Sequence, residues 1–366
     1  MPHIPDPRRN ASFAADDALG LLVQRSVTGD TAAAQALGRW ACERLQGERD
    51  DEIAQTLRQV PSPVAYRALW DAVCRAIETP DVAGGDGALT TRVFAFPILL
   101  VAAARQPSRM PGALPDIGEV RDLLERHGAA GATRNFGLSN ALCSVDTLER
   151  LKPSLVYRWS REWSGPPREL APADVHVSAG RERVHLRFLV GAGITPREAP
   201  SFLETASNIG AWGIPLTRTL VRQLAQPTIE LLAIPRAPVS LLRAPHAGRW
   251  AELEAAFNLF TSNTLRNFRS AVGDPVVIVS AHRGEQECGE VRVSMSSVLD
   301  DTLLEGFRWP LHPLDDLESI AQVIAELMRD CRVQDVRFLD RVLPERLASG
   351  SLFLRGNDAI APQAPH

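Results

Sequence analysis

Val184-His185-Leu186-Arg187-Phe188-Leu189-Val190 is the stretch on which the fold class turns. Val184, Leu186, Phe188 and Val190 alternate with His185 and Arg187, the period-two mark of a strand with one buried face. Just upstream, Val175 to Val177 is a second strand, and Ala179-Gly180 between the two predicts a hairpin turn. Further upstream, Ser164-Gly165-Pro166-Pro167 through Ala171-Pro172 carries paired prolines that resist helix and sheet alike, which predicts a linker.

The pattern before that linker is helical. Thr31 to Gln46 is Ala-rich, with Trp40 and Leu45 on its apolar side. Ser62-Pro63 opens a helix with a cap and a first-position proline, and Tyr66, Trp70, Val73 and Ile77 share one face of it. Asp116 and Glu119 start the segment Ile117 to His127, which Gly128 closes.

Beyond Val190, Thr195-Pro196-Arg197-Glu198 predicts a helix start. Thr228 to Ile234 and Val276 to Ser280 are further strands, with Glu290 to Met295 as hairpin partner of the latter. A long helix runs from about Arg249 with Trp250, Leu253, Phe257 and Phe260 on one face. Another begins at Asp315 and buries Leu317, Ile320, Ile324, Leu327 and Met328. Val333 to Leu339 is a last short strand. The expectation is an α+β chain: a disordered segment over 1–17, a mainly helical domain over 18–163, a linker over 164–173, a mixed-sheet α+β domain over 174–345 and a loose tail over 346–366.

Composition removes several function classes. Of the 40 basic side chains only Lys152 is a lysine, and no Gly-rich loop precedes it, so a P-loop is absent, Schiff-base chemistry would have to run through Lys152, and the lysine-dependent catalytic classes are disfavoured. A net charge of −4 gives no global basic field for nucleic acid or anionic lipid. Cys42, Cys74, Cys143, Cys288 and Cys331 are dispersed, which reads as reduced thiols in a cytoplasmic protein. The longest apolar run, Val93 to Ala104, is interrupted by Pro97 and is too short for a membrane span.

The most site-like stretch is Asp274 to Glu285, where a buried strand delivers Ser280 and His282 to its C-terminal end. His282 with Asp274, Glu285 or Glu290 is the candidate acid–base set of a hydrolase-like enzyme; the competing reading is a polar strand end followed by a solvated turn. Gly137-Leu138-Ser139 is half of a nucleophile elbow, and Ser139 is expected to cap a helix instead. His176 and His185 face each other across the expected hairpin. Gly191-Ala192-Gly193 invites comparison with a phosphate-cradling loop, but its third glycine is missing. Arg243, Arg249, Arg266 and Arg269 form a candidate nucleic-acid stripe.

Trp159 and Trp163 flank the linker, and Trp212 and Trp309 sit in Gly/Pro-flanked stretches expected to be loops. Such rings are enriched at interfaces. The favoured expectation is a non-catalytic protein-interaction or structural subunit of a bacterial-type assembly, needing no cofactor or metal, with the enzyme and nucleic-acid readings as alternatives.

Overall fold

The computed structural model describes residues 2–8, 18–60, 62–78, 89–161, 169–180, 182–196, 209–283, 289–347 and 349–359. It is α+β: helices dominate the N-terminal part, and antiparallel and mixed sheets follow. The chain divides into two units interleaved in sequence. Unit one is Met1–Ala14, Val60–Arg67 and Leu253–His366; unit two is Ala15–Gln59 and Ala68–Glu252.

The helical part opens with α1 (Ala18–Val27), α2 (Thr31–Gln46), α3 (Asp50–Gln59) and α4 (Pro63–Glu78). The Asp30 carboxylate accepts from the amides of Ala32 and Ala33 to start α2, satisfying two otherwise orphaned donors. Ser62 caps α4 in the same way through the amide of Ala65. Then come β1 (Leu89–Ala104), β2 (Ser108–Met110), α5 (Ile117–Arg126, capped by Asp116), β3 (Arg134–Cys143), α6 (Val145–Glu149) and α7 (Pro153–Trp159). β4 (Val175–Val177), β5 (Arg183–Pro196), α8 (Ile209–Leu224), β6 (Ile229–Pro235) and β7 (Val239–Ser240) complete the sheet elements of unit two.

That unit is built on an antiparallel sheet in the order β3-β5-β1-β6, with β7 pairing β1. The apolar run that breaks at Pro97 is its 16-residue central strand β1. It reads as continuously apolar because both faces are covered. Phe94, Phe96, Ile98 and Leu100 pack on Trp212, Leu216, Leu220 and Leu224 of α8 and on Val120 and Leu124 of α5. Trp212 meets Phe96 edge-on at 5.6 Å.

Several local expectations are corrected here. β4 pairs with β2 rather than with β5, so His176 stands opposite Arg109 while His185 stands opposite Leu100. Strand β5 continues through Thr195-Pro196, where a helix start is expected; residues 197–208 lie outside the described residues. Gly191 and Gly193 are therefore strand residues, not a loop. A Cβ on Gly191 would lie 2.6 Å from Leu138, and one on Gly193 2.5 Å from Phe136, so glycine is required by close packing of β3 on β5. Trp212 lies in α8, whose buried Trp212, Leu216, Leu220 and Leu224 recur every four residues despite Pro215.

The long helix α9 (Ala244–Val272) spans the division between the units. Unit one then forms β8 (Val276–His282), β9 (Glu290–Ser296), β10 (Leu303–Pro310), α10 (Leu317–Asp330) and β11 (Asp335–Leu343). Its sheet runs β10-β9-β8-β11, antiparallel except for the parallel pair β8–β11, and is thus mixed. Asp316, one residue later than expected, caps α10 through the amide of Ser319. Trp309 lies in β10, fully buried against Phe257 and Phe307. The glycine before it, Gly306, makes room for the ring of Phe353 rather than marking a loop. Of the N-terminal segment, residues 2–8 are described, with Ile4 and Arg8 buried.

Candidate functional site

Seven consecutive buried residues, Val276 to His282, make β8 an interior strand, and its antiparallel register with β9 fixes what lies beside what. Ser280 stands opposite Arg292 and His282 opposite Glu290; Ile278 and Val276 stand opposite Ser294 and Ser296. Directly opposed residues share a face, so Ser280, His282, Glu290, Arg292, Ser294 and Ser296 line one side of the sheet. The other side carries Val277, Val279, Val291, Val293 and Met295. One sheet thus buries an apolar face and a mixed face, whose His282 end is polar and whose Val276 and Ile278 end packs with Leu343, Leu347 and Leu354.

On the polar face Nδ1 of His282 lies 2.9 Å from the Pro344 carbonyl oxygen and Nε2 lies 2.9 Å from Ser280 Oγ. A carbonyl only accepts, so Nδ1 carries the proton and the Ser280 hydroxyl donates to Nε2. Burial pushes the imidazole down from 6.5 to about 4, which keeps it neutral. Beside it, Glu290 accepts from Arg292 Nε at 2.5 Å and from Arg308 Nε at 2.7 Å. Burial raises this carboxyl, and the bonds from Arg308 and Arg292 more than cancel that, holding it below its ordinary value. Arg292 also donates to the Leu352 carbonyl at 2.5 Å.

A serine hydroxyl bonded to a histidine nitrogen is the arrangement of a nucleophile and its base. Here the pair is sealed. His282 is 0% exposed and Ser280 3%, and a Cβ on Gly289 would fall 2.6 Å from the His282 carbonyl oxygen and 3.0 Å from Pro7. The geometry makes His282 a crosslink between β8 and the chain at Pro344.

The remaining candidates do not converge on it. Asp274 precedes β8 and pairs with Arg269 at 2.7 Å, separated from His282 by the length of the strand, roughly 20 Å at 3.3 Å per residue. Glu285 lies outside the described residues. Ser139 sits in the bulged strand β3, buried, and accepts from the Ala141 amide; the helix cap nearby is Ser144. Three arginines of the expected stripe are engaged by acids or carbonyls, and Arg266 bonds the Asn263 side chain. Arg243 bonds Asp71 and Glu78, Arg249 bonds Glu149, and Arg269 also donates to the Cys331 carbonyl. Trp212 and Trp309 are interior rings, Trp159 is half-buried at the end of α7, and Trp163 lies outside the described residues.

Two features went unnoticed in the sequence. One is an apolar cavity in unit two between α4, β1, α7 and β7, which collects residues from four separate stretches and leaves no local motif. The other is the turn from β9 to β10, where Val298 is 60% and Leu299 75% exposed; a Val-Leu pair next to Asp300-Asp301 was the available signal. Among the described residues no group of three His, Cys, Asp or Glu side chains is placed to hold a metal ion, and no helix is long and apolar enough to cross a membrane. No family model, curated protein or solved structure matches the chain.

Proposed function

We propose that the chain is a protein-interaction subunit and that the turn from Ser297 to Thr302 is its docking element. The observation that supports this is the pairing of two exposed aliphatic side chains with a stiffened backbone. Turns are normally built from Gly, Pro, Asn, Asp and Ser, which tolerate both the geometry and the water. This one presents Val298 and Leu299 instead.

Several hydrogen bonds hold it, among them one from the Thr302 amide to Asp300 Oδ1 at 3.2 Å. The Leu299 amide donates to Ser297 Oγ at 3.2 Å, the Asp301 amide to the Ser297 carbonyl at 3.1 Å, the Ser297 amide to the Thr302 carbonyl at 2.8 Å, and the Asn357 amide to Asp301 Oδ1 at 3.0 Å. Asp301 takes a φ of 58°, a left-handed conformation that Asp tolerates better than most side chains. A rigid presenter loses little entropy on docking, and burying each aliphatic side chain contributes about 1.5–3 kcal/mol. Asp300 and Asp301 beside them favour an apolar socket with a basic rim on the partner. The four described cysteines are free thiols, two of them buried, which supports a reducing compartment.

The test is co-purification from the source cell, comparing the native chain with Val298→Asp/Leu299→Asp. The expected outcome is a partner retained by the native protein and lost by the variant, at unchanged melting temperature because both positions are exposed. An identical set of co-purifying proteins for both forms would refute the proposal.

A further inference from the structure

The apolar cavity of unit two has a volume of about 170 Å³. Protein interiors are packed so closely that voids larger than a water molecule are few. An apolar void of about 150 Å³ is known to stay dry and to accept benzene, so the space suits a body of about six carbon atoms. Its apolar wall includes Ile77 of α4, Val93 of β1, Val156 of α7 and Leu241. Cys74 also lines it, and burial pushes that thiol up, so it stays neutral and adds to the same wall.

The frame around this space is cross-braced. On α4, Asp71, Cys74 and Glu78 recur at helical spacing and share a face. Asp71 and Glu78 stand about 10 Å apart along the helix axis, one on each side of Cys74, and both are tied to the chain around β7. Arg243 donates from Nη1 to Asp71 Oδ1 at 2.7 Å and from Nε to Glu78 Oε1 at 3.1 Å. The Ser240 hydroxyl donates to the same Glu78 oxygen at 2.5 Å. β7 in turn pairs with β1, Ser240 opposite Phe94 and Val239 opposite Ala95. These bonds set the spacing of α4, β1 and the chain at Leu241, and so resist collapse of the walls into the gap.

The same bonds decide the charge of an occupant. Arg243 is met by Asp71 and Glu78, and the Glu78 charge also acts on Arg92, so two guanidiniums stand against two carboxylates. The hydroxyl of Ser160, another lining residue, donates to the Tyr157 carbonyl at 2.7 Å. An anion or a cation entering here would shed its water and find each opposite charge already engaged. An uncharged body carries no such cost.

We propose that this cavity binds a small uncharged apolar molecule, a body of about six carbons held against Ile77, Val93, Val156 and Leu241. Nothing covalent is involved. The site lies in unit two and is independent of the docking turn, which belongs to unit one, so either can fail without the other.

Titration calorimetry of the full chain at neutral pH with 1-hexanol, hexanoate and hexylamine tests it, because the three probes share one apolar body and differ in charge. 1-Hexanol is expected to bind once per chain and at least tenfold more tightly than either ion. Val156→Phe and, from a different element, Val239→Phe are each expected to abolish hexanol binding by filling the space. Using both, with circular dichroism confirming the native fold, separates filling from misfolding. No binding of any probe, an ion bound as tightly as the alcohol, or undiminished hexanol binding in the folded Phe variants would overturn the proposal.

Discussion

The two sheets solve the same problem by opposite means. In unit two, β1 is buried on both sides by hydrocarbon and rings, and its neighbour β5 accommodates β3 through Gly191 and Gly193. In unit one, β8 and β9 bury one apolar face and one face on which Ser, His, Glu and Arg stand beside Val276 and Ile278. Packing in the first is set by volume, to within a methyl group. Order in the second rests in part on the bonded set Ser280, His282, Glu290, Arg292 and Arg308, which fixes strand neighbours but makes its charged members costly to remove singly.

That difference is broken most severely at Glu290. Glu290→Ala leaves Arg292 buried beside a missing counter-charge and should cost about 3–5 kcal/mol, read from the urea midpoint. Replacing both partners, Glu290→Leu with Arg292→Met, should recover most of that loss. A single variant costing less than about 1 kcal/mol would mean that the polar face carries no more than a surface ion pair.

Acid should reveal the same face next. His282 is neutral in the fold, with its pKa near 4 against 6.5 when free, so the unfolded chain binds the extra proton first. Stability is therefore full above about pH 6.5 and falls as pH drops through 4, by about 3 kcal/mol in all. Glu290, held below its ordinary value, adds to the loss in the same direction at the acid end. Denaturant curves at pH 7 and pH 4.5 should show this slope between those values for the native chain, and a shallower one for His282→Asn. Parallel slopes would place the acid sensitivity elsewhere. The smallest effect belongs to the other sheet: Gly193→Ala forces a methyl group into Phe136 and should cost about 1–3 kcal/mol by urea denaturation. A neutral result there would mean that β3 can move away from β5.

The hairpin β8–β9 and the stripe of α10 were legible because period-two and period-3.6 patterns survive whenever an element has distinct faces. Strand β1 was not, since a strand covered on both sides loses its alternation and resembles any apolar run. Glycine and proline misled for a related reason. At Gly193, Gly306 and Pro215 they answer to close neighbours or are overridden by packing, and a chain read locally registers only their preference for turns. Ser280 and His282 were recognisable as unusual strand residues. That the pair is buried, with the His282 ring held at the Pro344 carbonyl, depends on a segment distant in sequence. The cavity had no signature at all, because its walls are contributed by stretches lying between residues 74 and 243.

Arg8 donates to the Asp315 carbonyl at 2.9 Å across 307 positions of sequence, and Ile4 is buried in the same unit. On a ribosome the residues on one side of that bond emerge long before those on the other. Unit two can assemble while synthesis continues, whereas unit one must hold its first strand of contacts open until its last helix and strands have been made.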